Sequence, residues 1–284
     1  MSLVTSTGLF AWHGPGHRLV TKHAMERLPL DLPQAFRDAS RVAVDAANDP
    51  DFVKGPGLPH LAATETLEHY FAIEALGKER TPDSRYALLG LLTRLRRTPQ
   101  DIGFLPYALE ESRERLTACF AVYRAQPSAA AATKCAVIAG WLSHYAADAC
   151  QPLHATVHGQ GRSTTGYLLP GPSTIHSTVD GLLQNVPIDA NRALAGLTVA
   201  PFAQPFAAIL ERMTKANALV EDTFALQADM PTEQFSQATV SERVLRFTEA
   251  RLRDAVQFTA SLITTAWQDS ATLKPPIWYF KTVD

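Results

Sequence analysis

Apolar residues recur every three or four positions through most of the chain, whereas runs that alternate at every second position are scarce. That periodicity predicts helices and no strands. The clearest stripe joins Leu245, Leu252, Val256, Ile263 and Trp267 on one helical face, preceded by Thr239 and Glu242 as a candidate capping box. A second long helix is expected to carry Leu210, Met213, Val220 and Phe224. Earlier helices are predicted over 17–28, 34–47, 65–76, 84–97, 109–125 and 129–149. Glycine, proline, serine and threonine gather between 159 and 172, which reads as one long loop with histidines on either side. No internal repeat interrupts the pattern. The expected fold class is all-α, in a single multi-helix domain.

Composition changes that picture little. A chain of 284 residues with 46% hydrophobic content can bury one large core. A formal net charge of -2 leaves no basic stripe for sequence-independent grip on duplex nucleic acid, so any nucleic-acid substrate has to be held locally. The longest apolar run, 135–142, falls well short of the roughly 18 residues that a membrane span needs. Residues 1–11 lack the basic and apolar regions of an intact signal peptide. Cys119, Cys135 and Cys150 allow at most one intramolecular disulfide and have no C-x-x-C spacing, which leaves the redox compartment open.

Chemistry concentrates in Trp141-Leu-Ser-His-Tyr-Ala-Ala-Asp-Ala-Cys-Gln-Pro-Leu-His154. Four residues apart on a helix, His144 and Asp148 project from the same face and can share a metal ion. Pro152 cannot continue the hydrogen-bond ladder, so the helix is expected to break near Gln151 and turn His154 back toward that face. One such pair is ordinarily a surface pair. His176 and Asp180 repeat the spacing after the loop, however, and Asn48-Asp-Pro-Asp-Phe-Val-Lys54 and His69 add carboxylates and another imidazole. Taken singly, Asp51 and His69 read as a capping residue and a core residue. As a set these side chains suit a divalent ion, and zinc best, because imidazoles abound and thiolates are absent from the motifs. His13, His23, His60 and His158 have no partner at ligand spacing and are expected on the surface or outside the ligand set, with His158 nearest the site.

The stretch His144-x-x-x-Asp148-x-x-Gln151-Pro152-Leu153-His154, together with Trp12 and the following Gly16-His17, resembles the zinc-dependent single-strand-specific nucleases and the related bacterial zinc-dependent phospholipases C. The resemblance spans Trp12 to about Trp267. It implies a domain over 12–271, with 1–11 an extension or remnant and 272–284 a tail. It also implies up to three zinc ions. The first would be held by Asp51, His69, His144 and Asp148, the second by His154, His176 and Asp180, and the third by His17, Asp148 and the backbone of Trp12. Asp51 is preferred over Asp45 and Asp49 because Pro50-Asp51-Phe52-Val53-Lys54 is similar to the family's short acidic motif.

The implied activity is phosphodiester hydrolysis by a zinc-activated hydroxide, with Asp51 as general base and Lys54 neutralising phosphoryl oxygens. No organic cofactor and no stable protein partner are implied. The long spacing from His154 to His176 favours the nuclease branch, acting on single-stranded DNA or RNA and on 3'-phosphomonoesters, and Tyr70 stands where that branch puts a base-stacking ring. The ordinary reading of Tyr70 is a core tyrosine. Two features depart from the family. Residues 1–11 precede Trp12, so either they are removed or the third site is altered. His158-Gly-Gln-Gly-Arg-Ser163 stands where the nucleases carry a Gly-Gly-Asn element. The alternatives are a phospholipase C acting on phosphatidylcholine and a helical protein whose zinc is structural. Relatives of this kind are secreted or periplasmic, which makes export the expectation.

Overall fold

Serine side chains set where several helices begin. Ser84, Ser128, Ser173 and Ser241 each accept a hydrogen bond from the backbone N–H three residues on, at 3.1–3.3 Å, satisfying one of the donors a helix start leaves unpaired. The structure, a computed structural model, describes residue 12 and residues 14–169, 173–231 and 240–280, and among them every regular element is a helix. In chain order the α-helices are α1 (Gly14–Glu26), α2 (Gln34–Asp38), α3 (Ser40–Ala46), α4 (Asp49–Val53), α5 (Pro59–Glu65), α6 (Arg85–Leu95) and α7 (Leu105–Ala125). They continue as α8 (Ala129–Asp148), α9 (Thr174–Asp180), α10 (Leu182–Asn185), α11 (Ala190–Ala193), α12 (Pro205–Asn217), α13 (Val220–Leu226) and α14 (Glu242–Asp269). None of them is long and apolar enough to cross a membrane.

Helix α8 is the axis of the domain and packs against α1, α3, α7 and α14. Its inward positions are mostly small, with Ala136, Ala139, Gly140 and Ala146 buried, so neighbouring backbones approach closely. At Gly140 a β-carbon would sit 2.5 Å from the Ala43 carbonyl oxygen of α3. Larger side chains fill the far side of α7 and α14, where Phe120 meets Trp267 edge-on at 5.4 Å and Phe36 at 4.9 Å. Each fully buried Leu or Phe of this core contributes roughly 1.5–3 kcal/mol relative to exposure. The stripe expected on the last helix is present, with Leu252, Val256, Ile263 and Trp267 buried and Leu245 half-buried against the core. Its cap is Ser241, while Thr239 lies outside the described residues.

Three expected helices are broken. The span 34–47 divides at Ala39, and the expected helix through Leu210 and Phe224 is two, α12 and α13. The span 65–76 is not one helix but the end of α5, a 3₁₀ turn (Thr66–His69), extended backbone and a second 3₁₀ turn (Ile73–Leu76). Helix formation stops there because long-range partners take the backbone groups. Phe71 N–H bonds the His154 carbonyl and Ala72 N–H the Ile102 carbonyl, both at 2.8 Å. All three cysteines are buried and unpaired to one another by any disulfide.

Candidate metal centre

Six separate elements deliver the polar side chains to one place. His17 comes from α1, Asp51 from α4, His69 from the end of the 3₁₀ turn after α5, and His144 and Asp148 from the last turn of α8. Helix α8 stops at Asp148, and Pro152 opens a 3₁₀ turn (Pro152–His154) that swings His154 back, as the sequence predicts. Gln151 holds this corner, since its Oε1 accepts from Leu153 N–H and its Nε2 donates to Asp180 Oδ1 at 2.7 Å. His176 and Asp180 stand on adjacent turns of α9. All eight residues are less than 9% exposed.

Asp148 is the hub. Its carboxylate oxygens lie 3.5 Å from His17 Nε2, 3.1 Å from His69 Nδ1, 3.5 Å from His144 Nε2 and 3.9 Å from His154 Nδ1. Asp51 Oδ1 lies 3.7 Å from His144 Nε2 and 3.8 Å from His69 Nδ1. Asp180 reaches His154 Nε2 at 3.7 Å and His176 Nε2 at 3.2 Å. Three groups therefore bring ligand atoms within 4.8 Å of one another: His17 with His144 and Asp148, Asp51 with His69 and His144, and His154 with His176 and Asp180. His144 belongs to two of them, and its ring stacks on that of His17 at 3.7 Å. The other nearby acids are engaged elsewhere. Asp45 pairs with Arg18, and Asp49 accepts from the Trp141 indole at 3.3 Å.

Backbone carbonyls decide which imidazole nitrogens are bare. His144 Nδ1 lies 2.8 Å from the Ala47 carbonyl, His154 Nδ1 2.5 Å from that of His69, and His176 Nδ1 2.8 Å from that of Gly159. A carbonyl oxygen only accepts, so each Nδ1 carries the hydrogen, and in the neutral ring each Nε2 then offers a lone pair. Burial favours the neutral form of three rings, pushing His144 down to about 4 and lowering His176 and, together with the nearby Lys54 ammonium, His69. The lone pairs of His154 and His176 point at Asp180, and that of His144 points at oxygens of Asp51 and Asp148 and at His69 Nδ1, 3.0 Å away, where one hydrogen can serve only one of His144 Nε2 and Asp148 Oδ2. Acceptor facing acceptor is unfavourable until a cation lies between them. Oδ1 of Asp148, Oδ2 of Asp180 and Nε2 of His154 are accordingly buried without a hydrogen-bond donor among the described residues. The donor set of imidazole nitrogen and carboxylate oxygen fits a divalent ion.

Charge points the same way. One ammonium, Lys54 Nζ at 2.6 Å from Asp51 Oδ1, stands against the carboxylates of Asp51, Asp148 and Asp180. Burial, reinforced by Asp51, holds the Asp148 carboxyl well above its ordinary range. Burial pulls Asp180 the same way, but His176, His154 and Gln151 outweigh it and leave the carboxyl below its ordinary range. No protein-family model matches the chain, and no curated protein matches it.

Other residues singled out in the sequence are placed as follows. Trp12 is fully buried, and its indole donates to the Ala147 carbonyl at 2.9 Å, beside Asp148. Tyr70 is half-buried, with its hydroxyl tethered to the Gln100 carbonyl at 2.8 Å. Lys54, His69, Tyr70, His154, Leu168 and His176 are among the residues that wall a small pocket beside the centre. Of the remaining histidines, His23 pairs with Glu26, His60 is exposed, and His158 Nδ1 accepts from Ser163 N–H at 3.0 Å, so none of the three joins a ligand group. His13 lies outside the described residues. Sequence reasoning missed Glu65, whose Oε1 lies 3.5 Å from His69 Nε2 and accepts from the Tyr145 hydroxyl. Its separation from His69, one helical turn, was the available signal.

Proposed function

We propose that this chain is a zinc-dependent phosphodiester hydrolase. The observation that carries the reading is the sharing of ligands. His144 stands in two of the three groups, and Asp148 lies within 4 Å of four imidazoles, which is the economy of a site for several ions acting on one substrate. Ions bound there supply Lewis acidity and lower the pKa of a coordinated water. The chain's own residues do the rest. Asp51, buried beside the pocket, takes up the proton that the attacking water releases at Oδ1. Lys54 lines the same pocket with its ammonium held against Asp51, where it offsets negative charge on phosphoryl oxygens. The Tyr70 ring, fixed by its hydroxyl, offers a face on which an unpaired base stacks, so single-stranded DNA or RNA is the substrate proposed.

Hydrolysis of a phospholipid is a second reading, favoured by Phe52 at 77% exposure on α4, next to Asp51, and by Leu61 at 48% on α5. The deciding experiment gives the zinc-loaded protein single-stranded DNA and, separately, phosphatidylcholine vesicles, each with and without a chelator. Chelator-sensitive release of acid-soluble nucleotides supports the nuclease reading. Release of phosphocholine alone transfers the assignment to lipid, and inactivity on both rejects phosphodiester hydrolysis.

A further inference from the structure

The ligand histidines do not present themselves alike. His144, His154 and His176 each turn Nδ1 to a backbone carbonyl and Nε2 to the cluster. His69 is reversed. Its Nδ1 faces the cluster, 3.1 Å from Asp148 and 3.0 Å from His144 Nε2, and its Nε2 faces Glu65 Oε1 at 3.5 Å, the nearest acceptor to that nitrogen but without a hydrogen bond while Nδ1 holds the ring's hydrogen. Glu65 is fixed in turn by the Tyr145 hydroxyl, which donates to the same oxygen. The rings of His69 and Tyr145 lie 5.8 Å apart in a tilted edge contact, so hydroxyl, carboxylate and imidazole are packed as one unit. Glu65 and Tyr145 line a cavity of about 540 Å³ on one side of this unit, while His69 walls the pocket of Tyr70 and Leu168 on the other, so the only ligand atom that Glu65 closely approaches is on His69.

We infer that Glu65, held by Tyr145, is a positioning residue that takes the Nε2 hydrogen of His69 once an ion replaces the hydrogen at Nδ1, and that it makes this Nδ1 the most strongly donating nitrogen of the centre. A carboxylate accepting the outer N–H of a ligand imidazole orients the ring and raises its basicity, which a neutral backbone carbonyl does less strongly. The ion held by Asp51, His69 and His144 is therefore the last to leave under chelation, and Glu65 sets that order. This inference rests on the metal-centre reading and not on any choice of substrate.

The test has two arms. In the first, long-range ¹H–¹⁵N spectra of histidine-labelled protein, metal-free and zinc-loaded, report the tautomer of each ring. The expected result is Nδ1–H at His144, His154 and His176 in both samples, and Nε2–H at His69 in the zinc-loaded one. Nδ1–H at His69 in a sample that elemental analysis shows to hold zinc overturns the inference, and the metal count keeps this outcome distinct from a failure to bind zinc. In the second arm, zinc is titrated against a chromophoric chelator for the wild type and for Glu65→Gln, Glu65→Ala and Tyr145→Phe. Glu65→Ala is expected to weaken the tightest zinc by roughly 10–100-fold while leaving the other ions unchanged. Glu65→Gln keeps an accepting oxygen without the charge and should fall between Glu65→Ala and the wild type, and Tyr145→Phe should lose less than Glu65→Ala. Unchanged affinity in all three variants, or equal weakening of every ion, overturns the inference. A wild type that binds zinc but hydrolyses nothing rejects the phosphodiesterase proposal and leaves this comparison intact.

Discussion

Two polar clusters in this molecule, one half-buried and one buried, are built on opposite principles. Around Asp254 on α14, Arg251 and Arg212 converge on one carboxylate at 2.9 and 3.1 Å, so unlike charges meet directly and the surplus is of N–H donors. Around Asp148 the surplus is of lone pairs, with imidazole nitrogens and carboxylate oxygens facing one another at 3.0–3.9 Å. The first cluster ties α12 to α14 through charge pairs that need no further partner. The second leaves acceptors unmet as a purely protein structure, and its groups could hold cations. Buried charge, in other words, is no mark of function, whereas buried acceptors aimed at acceptors are.

The largest expected effect breaks the second cluster at its hub. Asp148→Asn is nearly isosteric, so the fold should survive while hydrolysis falls by about 1000-fold or more, several kcal/mol of transition-state stabilisation. Metal content by elemental analysis should fall with it, and full activity in this variant would remove the centre from the chemistry. Asp254→Ala strands two guanidinium groups instead. It should destabilise the protein by roughly 1–3 kcal/mol in urea unfolding with metal content unchanged. Loss of zinc from that variant would mean that the two clusters are not independent.

A third experiment uses pH on chelated protein. His144 titrates near 4 in the folded state against 6.5 in its absence, and His69 and His176 are lowered as well. The unfolded chain then binds more protons than the folded one, so the stability these rings allow is lost as pH falls from about 6.5 towards about 4, on the order of 3 kcal/mol for His144. Asp148, Glu65 and Glu68 have the opposite sign, because a raised carboxyl keeps its proton in the folded state, so the imidazole part is read as the difference between the wild type and His144→Gln. The melting temperature of the chelated wild type should drop more across this range than that of the variant. An equal drop in both would mean that the ring is already charged and the lone-pair argument fails. The smallest effect sharpens the substrate. Tyr70→Ala should weaken single-stranded DNA binding by roughly 1–3 kcal/mol, seen as a higher KM with little change in kcat, whereas an unchanged KM would favour the lipid reading.

The parts of this architecture that were legible in sequence are those that repeat at short range. The stripe of α14, the length of α8, the break at Pro152 and the His-x-x-x-Asp spacings all follow from local periodicity and from a missing N–H. The backbone around His69 was not legible. Residues 65–76 have helical character, but Phe71 and Ala72 bond to His154 and Ile102, partners that no local pattern announces. The choice among Asp45, Asp49 and Asp51 was carried by likeness to a motif, and in the structure Arg18 and Trp141 occupy the other two. Which nitrogen of each imidazole faces inward depends on carbonyls of Ala47, His69 and Gly159 that lie 97, 85 and 17 residues from the rings they fix. Tautomers are a property of the folded chain.

One of those carbonyls shows how finely the centre is toleranced. Ala47 follows α3, and α3 can lie against α8 only because Gly140 has no side chain, a β-carbon there falling 2.5 Å from the Ala43 oxygen and 2.8 Å from the Ala46 methyl. His144 sits one turn further along α8. Anyone redesigning this protein for stability would be tempted to replace a glycine in the middle of a helix by alanine. Here that change would pry the two helices apart and carry the Ala47 oxygen away from the ring it orients, so a routine stabilising substitution would act as a remote mutation of the candidate metal centre.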